Sequence, residues 1–181
     1  MLYRHNELKK KGLSDYNIKG LVKENKLYKI DSGLYATTKE VSKLAIITTL
    51  HPDHIITSYS AYYYYGLLKK EPSKIYLASI QKARKIKKDW VHQTFMKDNL
   101  HKIGMVTMIY QQTKFNTYNL ERLLIELVRH KTEIDYDTYQ EIYQNFKKIK
   151  KLLNKTKLQE YIPNFKDKRI QERIDKFFEE K

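Results

Sequence analysis

The sequence predicts an α+β protein: a small helix–helix–hairpin head, then a mixed α/β body that ends in a helical C-terminal region. Three observations predict it. Gly12 and Gly33 cut the first forty residues into short pieces, helical at first and then β-prone. Three β-prone runs lie between about residues 74 and 111, separated by basic loops. From Tyr118 onward the apolar residues recur at helical spacing, most regularly at Leu120, Leu123, Leu124, Leu127 and Val128. The expected domains are a head over residues 1–38 and a body over 39–181, with strands at about 74–111 and helices at about 118–180.

Residues 6–11 read as a short helix closed by Lys11-Gly12. Ser14 is a good N-cap for a second helix, because its hydroxyl accepts from the unpaired amides of the first turn. Ile18, Leu21 and Val22 supply that helix's apolar stripe, and Asn25 suits the left-handed conformation that ends it. Leu27-Tyr28-Lys29-Ile30 and Leu34-Tyr35-Ala36-Thr37 flank Asp31-Ser32-Gly33, the pattern of a hairpin with a glycine in its turn. A helix is expected over 39–50, stopped ahead of His51-Pro52. Ser58 is expected to cap a tyrosine-rich helix over 59–65 that ends at Gly66. Strands are expected at 74–79, 90–95 and 105–111. Helices are expected at 119–131, 135–151, about 155–161 and 168–178, with Pro163 ahead of the last.

Helix, short turn, helix, hairpin is the order of a winged helix-turn-helix, whose second helix reads the major groove and whose hairpin is the wing. This head is expected to carry one helix fewer than winged heads usually do, since five residues precede Asn6. The expected DNA-binding residues are Ser14, Tyr16, Asn17, Lys19 and Lys23 on the second helix, with Lys26 and Lys29 flanking the wing. Tyr16, Asn17, Lys19 and Lys23 lie off the apolar stripe. An asparagine suits bidentate contact with adenine, and lysines meet phosphates or guanine edges. One such helix reads a few base pairs, so useful specificity calls for a homodimer on an inverted repeat.

Charge agrees with a polyanionic partner. Lys and Arg total 36 against 21 Asp and Glu, a formal charge of +15. Residues 1–50 hold 10 basic and 5 acidic groups and residues 69–102 hold 10 and 3, whereas residues 103–135 balance at 4 and 4. The absence of cysteine excludes disulfides, thiolate catalysis and cysteine-ligated zinc. No apolar run approaches the ~18 residues of a spanning helix. The first residues, Met1-Leu2-Tyr3-Arg4-His5-Asn6, have no apolar signal stretch either. A cytoplasmic protein with no membrane partner is expected.

Several residues carry a family likeness. Gly12-Leu13-Ser14, followed by Leu27-Tyr28-Lys29-Ile30-Asp31-Ser32-Gly33-Leu34-Tyr35, resembles the head of the AbiEi-like antitoxins. The stretch His51-Pro52-Asp53-His54-Ile55-Ile56-Thr57-Ser58-Tyr59-Ser60-Ala61, closing on Gly66-Leu67, resembles that family's central motif. Tyr118-Asn119-Leu120-Glu121-Arg122-Leu123-Leu124-Ile125-Glu126-Leu127 resembles its Glu-Arg helix. Ser58, Ser60, Ala61, Gly66, Glu121 and Arg122 are the motif residues this likeness singles out. Ser32 stands in the wing turn where the family often has arginine, and Tyr59 where it commonly has histidine.

The resemblance implies an antitoxin of a type IV toxin–antitoxin, or abortive-infection, system. Its winged head would repress its own promoter, and its body would counteract a cognate nucleotidyltransferase-like toxin. A stand-alone winged-helix transcriptional regulator of phage or mobile-element origin is the alternative reading. Below it stand a metal-dependent nuclease using His51, Asp53 and His54, and an adaptor that binds protein alone.

His51-Pro52-Asp53-His54 lacks an obvious second ligand group, and Pro52 fixes a turn rather than a helical ligand pair. Ser58 and Ser60 have no glycine-flanked nucleophile elbow, and no phosphate-cradling glycine loop is present. No enzymatic activity, cofactor or metal is therefore expected. Of Tyr62-Tyr63-Tyr64-Tyr65, no more than two can share one helix surface, and packing is the expected use of at least two. The basic stretch Lys82, Arg84, Lys85, Lys87 and Lys88 is either a solvated loop or a further nucleic-acid contact.

Overall fold

The computed structural model describes residues 1–180. The protein is mixed α+β, and it divides into two compact units, Met1–Pro52 and the chain from Asp53 onward.

The first unit runs β1 (Leu2–Arg4), α1 (His5–Lys10), α2 (Asp15–Lys23), β2 (Tyr28–Asp31), β3 (Leu34–Ala36) and α3 (Lys43–Leu50). Gly12, at φ +85°, turns the chain between the two leading helices, and Ser14 caps α2 by accepting from the Asn17 amide at 3.1 Å. Asn25, at φ +55°, ends α2, after which the Lys26 and Leu27 amides both bond back to the Leu21 carbonyl. Leu8, Ile18 and Leu27 form the buried centre, with Tyr3, Leu13, Leu21, Val22 and Tyr35 packed around them.

Three features of this unit depart from the sequence expectation. β1 was not foreseen, because three residues are too few to show a period. It completes a three-stranded antiparallel sheet in the order β1-β3-β2, with Tyr3 opposite Tyr35. The helix expected over 39–50 begins at Lys43, where Ser42 caps it by accepting from the Ala45 amide at 3.1 Å. The unit ends near residue 52 rather than 38, because α3 belongs to it. Leu44 and Ile47 are buried, and Arg4 of β1 donates from Nε to the Thr49 carbonyl at 2.8 Å.

The second unit runs β4 (Ile55–Ile56), α4 (Ser58–Tyr64), β5 (Ile75–Ile80), β6 (Val91–Met96), α5 (Asp98–His101), β7 (Met105–Tyr110), β8 (Thr113–Tyr118), α6 (Leu120–Arg129), α7 (Tyr136–Lys148), α8 (Lys155–Tyr161) and α9 (Arg169–Glu179). Short 3₁₀ turns at Lys150–Leu152 and Ile162–Asn164 flank α8. The five-stranded sheet has the order β6-β5-β4-β8-β7. β4–β8 and β5–β6 are parallel, whereas β4–β5 and β7–β8 are antiparallel. Ile55 and Ile56 lie at the centre of this sheet, fully buried.

β8 was not anticipated. It follows β7 through a two-residue turn, Gln111-Gln112, in which both residues have positive φ (44° and 66°). Such turns ordinarily announce themselves with asparagine or glycine, and here neither is present. β5 and β6 are parallel neighbours joined without a helix, through residues 81–90. The Gln93 side chain holds that connection. It accepts from the Ile86 amide at 2.8 Å and donates to the Arg84 carbonyl at 3.1 Å and to Ser79 Oγ at 2.9 Å.

α6 is the axis of the helical layer. Leu123, Leu124, Ile125, Leu127 and Val128 are all buried, and α4, α7, α8 and α9 pack around them. The Tyr62 hydroxyl donates to the Leu123 carbonyl at 3.2 Å, and its ring meets Phe146 edge-on. Tyr62 is thus core, while Tyr63 and Tyr64 gather against Tyr110 at the surface. No helix among the described residues is long and apolar enough to cross a membrane.

Candidate nucleic-acid interface

The exposed side of α2 carries most of the residues the sequence nominates. Ile18 turns inward and is 2% exposed, with Leu21 and Val22 packed beside it. The opposite side is open: Tyr16 is 87% exposed, and Asn17, Lys19 and Lys23 are exposed as well. Tyr16, Lys19, Gly20 and Lys23 fall at i, i+3, i+4 and i+7, one stripe along the helix. Asp15, at the start of α2, ties it to α1 through His5 Nε2 at 2.8 Å and Lys9 Nζ at 3.3 Å. The hydrogen bonds and charges of Lys9 and then His5 hold the Asp15 carboxyl below its usual range. Its negative charge is thereby met locally, while Lys19 and Lys23 have no ion pair.

Two of the nominated residues are less free than their spacing implies. The Asn17 Oδ1 receives the Ser14 hydroxyl, so bidentate adenine contact requires that local bond to open. Lys26 is paired with Glu24 at 2.7 Å, whose hydrogen bond and charge push the lysine up. Lys29 is exposed on β2, opposite Tyr35. Ser14 acts as the helix cap.

Gly20 is a residue that sequence reasoning missed. It sits inside α2 at an ordinary helical φ, and a Cβ placed there would meet nothing within 4 Å. Neither backbone geometry nor packing demands glycine, although glycine inside a helix costs roughly 1 kcal/mol relative to alanine. A bare backbone on the Tyr16–Lys23 stripe leaves room for close approach of a partner. The signal was a helix-interior glycine on the polar side of the stripe.

The motif residues lie in the second unit and take different roles. The Ser60 hydroxyl accepts from the Tyr76 amide at 2.9 Å, which ties α4 to β5, and Ala61 is fully buried. Gly66, at φ +70°, closes α4. Glu121 is 6% exposed and accepts from the Asn154 amide at 2.9 Å, tying α6 to the start of α8. Arg122 is 1% exposed, held between the Tyr118 and Phe165 rings. It donates from Nε to Glu126 Oε1 at 2.9 Å and from Nη1 to the Leu100 carbonyl at 3.2 Å. These contacts are structural.

Ser58 corrects the sequence reading. The N-cap of α4 is Thr57, without a side-chain bond, and Ser58 is the first helical residue, held at φ +49°. The central β4 ends two residues earlier, and the chain must turn sharply into α4.

Ser58 and Arg122 both border a cavity of about 570 Å³ in this unit. Within it Glu126 receives Arg122, Arg129 at 2.9 Å and His130 at 3.2 Å. Burial raises the Glu126 carboxyl, but the His130 hydrogen bond and the two arginines outweigh it and hold the group at about 2. His130 is raised in turn by its bonds to Glu126 and Glu133, against its own burial. Elsewhere in the unit, the 81–90 connection presents Lys82, Arg84, Lys85 and Lys87 to solvent, none in an ion pair among the described residues.

No family model matches the chain, and no curated protein matches it. Among solved structures it is similar to the crystal structure of the RV2827C protein from Mycobacterium tuberculosis. The two are 12% identical with a TM-score of 0.65, over 90% of this chain and 66% of that one. The chain thus spans just under two thirds of that protein's length, and the likeness is one of fold.

Proposed function

We propose that the chain is an antitoxin and transcriptional regulator of the AbiEi-like kind. Its first unit binds operator DNA as a winged helix, and its second counteracts a nucleotidyltransferase-like toxin. The observation that carries the DNA half is the α2 stripe: an aromatic, two lysines without an ion pair among the described residues and a bare glycine backbone on one exposed helix side. The topology supports it. The order β1-α1-α2-β2-β3, with β3 between β1 and β2 in the sheet, agrees with a winged helix taken from its first strand onward. α3 packs on β1 and adds a third helix to this unit. The antitoxin half rests on the motif likeness, with Ser60, Ala61, Gly66, Glu121 and Arg122 building the unit that carries it.

In this reading the chain works in the cytoplasm as a homodimer on an inverted repeat in its own promoter, and it performs no catalysis. Fluorescence anisotropy on the native upstream duplex and a scrambled one, across a salt series, tests the DNA half. The expected result is native-sequence binding that survives ~0.15 M salt. Equal, salt-labile binding to both duplexes defeats it. Co-expression with the neighbouring gene tests the other half. Rescue of growth supports the antitoxin, and a harmless neighbour leaves a stand-alone regulator.

A further inference from the structure

We infer that the cavity of the second unit is a nucleotide-binding site, taking a single phosphate and a planar base. Its volume of about 570 Å³ falls within the range of small-molecule sites, roughly 300–1,000 Å³. One part of the lining is a run of rings, with Tyr59 and Tyr76 centred 4.9 Å apart and Tyr76 and His92 4.8 Å apart. Such a run offers a face on which a base can stack.

The same lining is rich in unused hydrogen-bonding groups. The hydroxyls of Ser58, Tyr59 and Tyr76 and the imidazole of His92 make no hydrogen bond among the described residues. Arg129 spends Nη1 alone on Glu126, stays 28% exposed, and keeps the rest of its fork. Glu126 is itself fixed by Arg122 and His130, so Arg129 is held in place without being consumed. Ser58 stands on this lining in a left-handed backbone conformation that disfavours every residue but glycine, asparagine and aspartate.

Charge sets the size of the anion. Arg122, Arg129 and His130 face Glu126 and Glu133, an excess of one positive charge when His130 is protonated. That suits one phosphate and not a triphosphate. A free nucleoside monophosphate and the phosphorylated end of a single strand share this chemistry.

Isothermal titration of the full chain with adenosine 5′-monophosphate tests the inference, beside adenosine and ribose 5-phosphate as its two halves. A six-residue single-stranded RNA with a 5′-phosphate separates the sources. The monophosphate should bind, and each half should bind about tenfold or more weaker. Tighter binding of the RNA than of the monophosphate identifies a strand end, and equal binding a free nucleotide. Arg129→Gln should weaken binding about tenfold or more. Ser58→Gly should also weaken it while leaving Tm equal or higher, since glycine accepts that φ. Both variants should keep the duplex-DNA binding of α2, so failure here is separable from failure of the DNA reading. Adenosine binding as tightly as the monophosphate overturns the inference. So does the absence of binding by both monophosphate and RNA, or affinity unchanged in both variants.

Discussion

α2 and α6 are both amphipathic helices with several charged residues, and they put those charges to opposite use. In α2 Ile18 alone is buried, and Lys19 and Lys23 stand in solvent without partners. In α6 seven residues are buried, among them Glu121 and Arg122, and each of these two is met by a named group on another element. A charge sealed inside a unit positions helices, because leaving it unmet would be costly. A charge left on an exposed stripe is available to a partner. The Glu-Arg pair is the more conspicuous motif in the sequence, yet it is α2, plainer to read, that leaves its lysines exposed to solvent.

The largest break of that contrast is Arg122→Leu, which removes from the buried Glu126 the cation bonded to its Oε1. It should cost about 3–5 kcal/mol in urea unfolding, and adding Glu126→Leu should recover part of the loss. A single-variant loss below ~1 kcal/mol would contradict a structural role for the pair.

Lys19→Ala with Lys23→Ala should leave stability within about 0.5 kcal/mol of the parent. It should lower the slope of log affinity against log salt on duplex DNA by about 1.8. Lys26→Ala should change that slope far less, since Glu24 already offsets its charge. A slope unmoved by the double variant would place the DNA contact elsewhere.

Gly20→Ala sharpens the point, because stability and binding should move apart. The open space around Gly20 predicts a gain of roughly 1 kcal/mol, whereas the added methyl on the stripe should weaken duplex binding. Stabilisation with unchanged affinity would remove Gly20 from the interface.

The smallest effect is at the alkaline end of the pH profile. Glu126 is depressed to about 2 from 4.5, so its contribution is present above pH 4.5 and is lost as pH falls through about 2. His130 is raised above 6.5, so its contribution is present below pH 6.5 and fades as pH rises through the raised value. Urea midpoints from pH 2 to 9 should fall on both sides, and His130→Gln should flatten the alkaline fall. His130 is 40% exposed, so that fall should be shallow. An unchanged alkaline limb in His130→Gln would dissociate it from the pair.

Much of the fold was legible where local physics is strong. The Ser14 cap, the Gly12 and Asn25 stops, the α6 stripe and the short helix at Lys155–Tyr161 all lie where the sequence put them. β8 was hidden by a Gln-Gln turn whose positive φ values no residue preference announces. β1 was hidden by its length, and α3 was split from its unit because its partner Arg4 lies 45 residues away along the chain. The candidate interface was largely readable, since an exposed helix side is a local property. The cavity was not, because Ser58, Tyr76, His92 and Arg129 are brought together by α4, β5, β6 and α6.

By itself, then, the sequence determined most of the longer helices, the Ser14 cap, the basic excess and the inward and outward sides of α2. These depend on residues within a turn or two of one another. Tertiary structure alone decided the strand order β6-β5-β4-β8-β7, the left-handed Ser58 and the fate of each buried charge. Those depend on which distant backbone and side-chain groups are left to satisfy one another once water is excluded.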